Sequence, residues 1–285
     1  MNRFSFLVII LLLVNSTSLI CQSQQSVYML YTDKYIVLDS AQYEITYDVD
    51  KVYDVSKNSV NHDIHKLLIG TNISKTYSYL RFQYDSTTLI QLKDKSSDGY
   101  YSERLGSSTY EIYKKQNTGK LHFVEMVDNI GREVFSYEED IPQINWEIHN
   151  DRKDILNYSC QKATAEFRGR TWEAWFTFDI PFSDGPFKFT GLPGLILEIY
   201  DIQNHYVFKC TGIKTLNPKE TITIRDWEVI TRTTFEKYKS YNKWKHDNPV
   251  VHAKSLGITM MTMKDGKNIE MPESFSLPYN PIELE

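Results

Sequence analysis

Apolar and polar residues alternate along much of this chain, the pattern of strands with one buried face. Tyr43, Ile45, Tyr47 and Val49 alternate with Glu44, Thr46 and Asp48. Residues 66–69 and 77–82 are shorter apolar-rich stretches that also read as strands. Residues 121–127 and 133–137 flank Asp128-Asn129-Ile130-Gly131, which predicts a hairpin turn. Residues 158–167 and 171–179 flank Arg168-Gly169-Arg170 as a second hairpin, with Trp172, Ala174, Phe176 and Phe178 on one face. Residues 195–200 and 206–213 enclose 201–205 as a third. Helical spacing is confined to residues 231–245, where Phe235, Tyr238, Tyr241 and Trp244 recur every third position. Thr231 or Thr233 is the candidate cap, and Pro249 stops the helix.

Strands joined by hairpins predict a mainly β, antiparallel fold. The expected architecture is one curved, half-barrel-like sheet packed with a C-terminal helix; a two-sheet β-sandwich is the alternative. Residues 93–108 are polar and rich in Gly and Ser, and read as a surface loop. Two prolines keep Leu277-Pro278-Tyr279-Asn280-Pro281-Ile282 extended. With no repeat and no linker, residues 23–285 read as a single domain.

The N-terminus changes the picture of where the chain works. Arg3 is followed by nine uninterrupted apolar residues, Phe6 to Val14, and then by small and polar residues. That is a secretory signal peptide over residues 1–22, shorter than the about 18 apolar residues that span a bilayer. The bulky Ile20 beside Cys21 argues against a lipidation site there. The expected location is the periplasm or cell surface. A net charge of −5 argues against nucleic acid or an anionic membrane surface as partner. Cys160 and Cys210 remain after processing, an even pair that forms either a disulfide or two buried thiols.

The run Gly185-Pro186-Phe187-Lys188-Phe189-Thr190-Gly191-Leu192-Pro193-Gly194-Leu195-Ile196 has the most specific turn chemistry. Leu192-Pro193-Gly194-Leu195 reads as a type II turn, with Gly194 at positive φ. Gly191, Leu192, Pro193, Gly194, Leu195 and Ile196 form the structural motif. It resembles the signature of the GLPGLI family, exported Bacteroidetes proteins without an established activity. Upstream, Tyr158-Ser159-Cys160-Gln161-Lys162-Ala163, Phe167-Arg168-Gly169-Arg170, Trp172-Glu173-Ala174-Trp175 and Asp179-Ile180-Pro181 resemble further elements of that family. The resemblance implies an exported β-rich protein and carries over no catalytic residue.

Catalytic signatures are not evident: there is no Gly-x-Ser-x-Gly, HExxH, Cys-x-x-Cys or P-loop. Glu138, Glu139 and Asp140 read as a solvated acidic run, and His62 with His65 as a solvated pair rather than a zinc site. Met260, Met261, Met263 and Met271 near His252 are soft donors of the kind that take Cu(I), or apolar filling. No cofactor is expected. Twenty Tyr, fourteen Phe and five Trp supply surfaces suited to cores and grooves alike. Trp172, Trp175, Phe176, Phe187 and Phe189 are the candidate binding face, for a peptide, a lipid or another envelope protein. The expected function is therefore a non-enzymatic binding or assembly module. A copper-handling protein and a hydrolase with an unfamiliar site are the alternatives.

Overall fold

The computed structural model describes residues 12–14, 17–20, 34–93, 108–126, 133–227 and 229–285. Its strands are β1 (Leu12–Val14), β2 (Thr17–Ile20), β3 (Tyr35–Asp54), β4 (Ser59–Ile69), β5 (Ile73–Ser78), β6 (Tyr110–Lys115), β7 (Lys120–Met126) and β8 (Val134–Asp140). They continue as β9 (Glu147–Ile155), β10 (Tyr158–Phe167), β11 (Arg170–Thr177), β12 (Leu195–Asp201), β13 (Tyr206–Arg225), β14 (Thr231–Arg232), β15 (Met261–Lys264) and β16 (Lys267–Glu270). The helices are α1 (Tyr79–Lys93), α2 (Phe235–Asp247) and α3 (Pro249–Ser255).

Twelve strands form one sheet in the order β14-β8-β7-β6-β5-β4-β3-β13-β12-β11-β10-β9. Neighbours are antiparallel except β14 with β8. The sheet ends at β14 and β9 without closing, so the single-sheet expectation holds and the two-sheet sandwich does not. Register breaks at Cys210/Gly212, Thr215/Glu220 and Trp175/Phe176 supply the bends, because an extra residue on one strand tilts it and adds twist. The small sheet β1-β2-β15-β16 is separate. β1 and β2 fall inside the expected leader; the rest of the leader, and Cys21, lie outside the described residues.

The alternation at residues 43–49 places Ile45, Tyr47 and Val49 on the inner face. There they join Leu67, Ile112, Phe123, Trp172, Phe176 and Phe208 in one core. These residues come from both halves of the sheet, so curling is what brings them together. The Tyr47 hydroxyl donates across this interior to the Ile196 carbonyl at 2.7 Å. A second cluster, Tyr113, Val124, Met126 and Val134, covers part of the opposite face.

The hairpin at Arg168-Gly169 forms as expected, with both residues at positive φ (52° and 76°). β7 and β8 pair as expected, while their turn at 128–131 lies outside the described residues. α2 also forms, but Thr234 rather than Thr231 or Thr233 caps it, accepting from the Lys237 N–H. Residues 77–82 do not make a strand throughout. β5 ends at Ser78, whose hydroxyl oxygen accepts the Arg81 N–H at 3.0 Å and starts α1. An Arg81–Asp85 pair one turn apart supports that helix. The loop expected over 93–108 lies mostly outside the described residues.

Residues 178–194, between β11 and β12, fold back into the concave side. Phe187 packs on Tyr110 (5.4 Å between ring centroids), and Phe189 packs on Trp172 (4.5 Å) and Phe208 (6.3 Å). From β6, Lys114 reaches this segment, pairing with Asp184 and donating to the Gly185 carbonyl at 2.7 Å. The segment is a plug that ties the two halves of the sheet.

The type II turn at 192–195 is not formed. Gly194 N–H bonds the Leu192 carbonyl at 2.8 Å, a three-residue γ-turn about Pro193. Gly191, not Gly194, has positive φ (95°). Gly194 is required for a different reason: a Cβ there would lie 2.0 Å from the Thr177 carbonyl oxygen.

Candidate functional site

Lys51 and Glu125 carry charge to the inner face beside the core. Lys51 follows Val49 in the inward register of β3, and Glu125 follows Phe123 in that of β7. Curling brings these strands to the rim of one cleft of about 100 Å³. Tyr206 and Phe187 form its walls, Tyr238, Lys239 and Asn242 of α2 its roof, and Tyr279 and Glu283 its far side.

α2 is set over the cleft by aromatic packing. Phe235 and Tyr238 lie 5.8 and 5.5 Å from the Tyr137 ring, and Tyr241 lies 4.9 Å from Phe135. Trp244, the last member of the expected stripe, remains 41% exposed. Glu125 accepts from the Tyr238 hydroxyl and from Thr109 Oγ1, the latter at 2.8 Å. Burial, reinforced by Glu125, pushes the Tyr238 pKa well above its usual value, so this hydroxyl stays protonated and donates to Glu125. Lys51 Nζ lies 5.8 Å from the Tyr206 ring centroid. Loss of hydration lowers the Lys51 pKa, opposed by Glu125 and Asp63.

The extended segment 277–285 straps the far side. Leu277 N–H bonds the His246 carbonyl at 2.8 Å, and Leu284 N–H bonds that of Arg168 at 2.9 Å. Between them, Arg170 donates to Asn280 Oδ1 (2.7 Å) and to the carbonyls of Pro281 (2.6 Å) and Ile282 (3.1 Å). Glu283 accepts twice from Lys188, at 2.9 and 2.8 Å, while Lys188 also pairs with Glu139 at 2.6 Å. Desolvation raises the Glu283 pKa against the pull of Lys188. Glu139 is thus no member of a solvated run: Arg168 and Lys188 both hold it.

The expected binding face is core instead. Trp172, Phe176, Phe187 and Phe189 are almost wholly buried, and of these only Phe187 touches the cleft. Trp175 is 9% exposed, lying under Lys153 and donating from Nε1 to Glu173. Aromatic residues at inward positions fill the interior of a strongly curled sheet before any groove remains. Phe178, expected on the same face, lies beyond the end of β11 and is half-exposed. Gly191, Leu192, Pro193, Gly194, Leu195 and Ile196 shape the plug and its exit into β12, away from the cleft.

Cys160 and Cys210 are buried free thiols, so the bridge is not formed. Their strands, β10 and β13, have β11 and β12 between them. Burial pushes the Cys160 thiol up to about 11 and the Cys210 thiol up to about 12. His62 is exposed beside Asp50, whereas His65 is buried beside Asp63, so the two do not converge. Met260 packs with Val250 and Met271 in an apolar cluster, while His252 turns to Glu133 and Tyr241. Among the described residues, no group of three His, Cys, Asp or Glu is placed to hold a metal.

Asp63, His65, Ser78 and Ser108 lie together beside the cleft, but they do not make an activated nucleophile. Ser78 donates its hydroxyl to Asp63 at 2.7 Å, and neither His65 ring nitrogen has a hydrogen-bond partner. The cleft offers aromatic walls, an ammonium on one side and a carboxylate held by two hydroxyls on the other. The sequence signal for it was the break in alternation at Lys51 and Glu125; Glu283 has no such signal, because its burial depends on Lys188.

A family model described as "Protein of unknown function (Porph_ging)" matches residues 165–198, which run from the end of β10 through β11 and the plug into β12. No curated protein matches. Among solved structures, the chain is similar to PNGF-II in its P21 space group, at 18% identity and a TM-score of 0.46. The same protein in its C2 space group gives 16% and 0.46. The matches cover 74% and 73% of this chain but 34% of PNGF-II in each case, so the chain spans about a third of that protein's length. No helix among the described residues is long and apolar enough to cross a membrane.

Proposed function

We propose that this chain is an exported protein of the bacterial cell envelope, of the GLPGLI type, that binds a peptide, a lipid or a segment of another envelope protein without chemical turnover. The apolar leader and the ordered motifs from Tyr158 to Asp201 support the export and family readings. The cleft carries the binding reading. Its volume of about 100 Å³ is well below the roughly 300 Å³ at which pockets for whole drug-sized ligands begin. It takes a single side chain or the end of an acyl chain, with an acidic group directed to Lys51.

Native mass spectrometry of the protein purified from the envelope of its own host tests this. The expected result is an added mass, lost on denaturation, that is absent from a folded Lys51→Met variant. A bare mass for the wild type, with no added species after incubation with envelope extract, would overturn the carrier reading.

A further inference from the structure

A second pocket, of about 30 Å³, lies where α1 meets β7 and the end of β13. It is partly open and has room for a water or two. Arg81 and Arg225 both line it, at 7% and 6% exposure. They share one carboxylate: Arg81 Nε is 2.9 Å from Asp85 Oδ1, and Arg225 Nη2 is 2.8 Å from Asp85 Oδ2.

Hydrogen-bonding capacity there is unspent. Arg81 Nη2 donates to the Met126 sulfur at 3.0 Å, a weak acceptor. Arg81 Nε and Asp85 Oδ1 sit at ion-pair distance without hydrogen-bond alignment. Trp227 Nε1, in a ring 5.4 Å from the Arg225 guanidinium, is a buried donor with no partner. A buried donor without a partner has lost its water and gained nothing in return, so an acceptor entering this space is favoured.

Charge points the same way. The charged side chains lining the pocket are Arg81 and Arg225 against Asp85 and Glu111, and Glu111 is paired to Lys75 at 3.1 Å. Glu111 is thus held from outside the pocket, and the two guanidiniums share the single carboxylate of Asp85. Asp63, the next carboxylate, is occupied by the Ser78 hydroxyl and the Ser108 N–H. A planar guanidinium fork matches paired oxygens on carboxylate and phosphate. The pocket admits two such oxygens, and its opening lets the remainder of the group project outward.

We propose that this pocket binds the two-oxygen edge of an oxyanion, a carboxylate or phosphate group, through Arg81 and Arg225 with Trp227 Nε1–H as a third donor. The site adjoins the cleft below α2 across Ser108 and Tyr110, but its donors Arg81, Arg225 and Trp227 do not line that cleft, and it stands whether or not the cleft binds a ligand.

Isothermal titration and thermal unfolding of the full chain test it. The probes are sodium phosphate, sodium acetate and glycerol phosphate, against sodium chloride at matched ionic strength. The expected result is a saturable rise in Tm and measurable heat with at least one oxyanion, and neither with chloride. Equal affinity for glycerol phosphate and inorganic phosphate would identify a group carried on a larger molecule; a preference for the inorganic ion would identify the free ion. Arg225→Gln should abolish binding. Trp227→Phe keeps the ring beneath Arg225 and should weaken binding about tenfold, which keeps the test intact if Arg225→Gln fails to fold. Oxyanions acting no differently from chloride, or Trp227→Phe binding as wild type, would overturn the assignment.

Discussion

Lys114 on β6 and Asp184 in the plug form an ion pair whose side chains are 0% and 4% exposed. It joins β6 to the segment between β11 and β12. Removing one partner from a buried pair leaves a dehydrated charge, at a cost of about 3–5 kcal/mol. Lys114→Met should therefore lower the urea midpoint sharply. The double variant Lys114→Met/Asp184→Leu should recover much of the loss, because neither charge is then stranded. Losses that simply add in the double variant would contradict this coupling.

Gly194 faces a carbonyl where every other residue has a Cβ. Gly194→Ala would press that atom against Thr177, and overpacking of this kind costs typically 1–3 kcal/mol or more. Gly119 makes the comparison, since a Cβ there meets nothing within 4 Å and only its positive φ resists substitution. Calorimetric Tm values should fall much further for Gly194→Ala than for Gly119→Ala. Similar losses would place the requirement in backbone conformation rather than in close approach.

His246 links acidity to the strap. Burial lowers its pKa from 6.5 to about 4. The unfolded chain therefore takes up this proton first, and the folded state loses stability as pH falls from 6.5 toward 4. The loss approaches about 3 kcal/mol at full protonation. The ring lies 4.8 Å from Tyr279, and its backbone carbonyl holds Leu277. In His246→Gln, equilibrium unfolding across that pH window should show a flatter dependence. An unchanged slope would assign the acid sensitivity to other groups.

Strands were legible where the alternation was clean, whereas β6, with Ile112, Tyr113 and Lys114 buried in succession, gave no such signal. The alternation at Tyr43–Val49 and the turn at Arg168-Gly169 each fixed an element and its orientation. α1 was not legible, since Phe82, Tyr84 and Thr88 favour strand as readily as helix, and the Ser78 cap and the Arg81–Asp85 pair decide the matter only in three dimensions. The plug misled for a physical reason. Pro193-Gly194 reads as a turn by dihedral preference, whereas the glycine answers to a neighbouring strand. The aromatic residues suit a core and a groove alike in sequence, and the curvature that buries Trp172, Phe176, Phe187 and Phe189 is set by register breaks that the residues themselves do not announce. Lys51 and Glu125 were visible as charges out of pattern, but their convergence depends on that same curvature.

The central seam of the sheet also sets an order of assembly. β3 is complete at residue 54, but its partner β13 begins only at residue 206. β4 covers one edge of β3 early, through a local hairpin. The other edge waits for most of the chain, and such distant pairing is slow because loop entropy is lost before contacts repay it. A chain emerging N-terminus first therefore builds its hairpins as islands and joins them last. Until then the open edge of β3 is a template for the wrong strand, its own or a neighbour's.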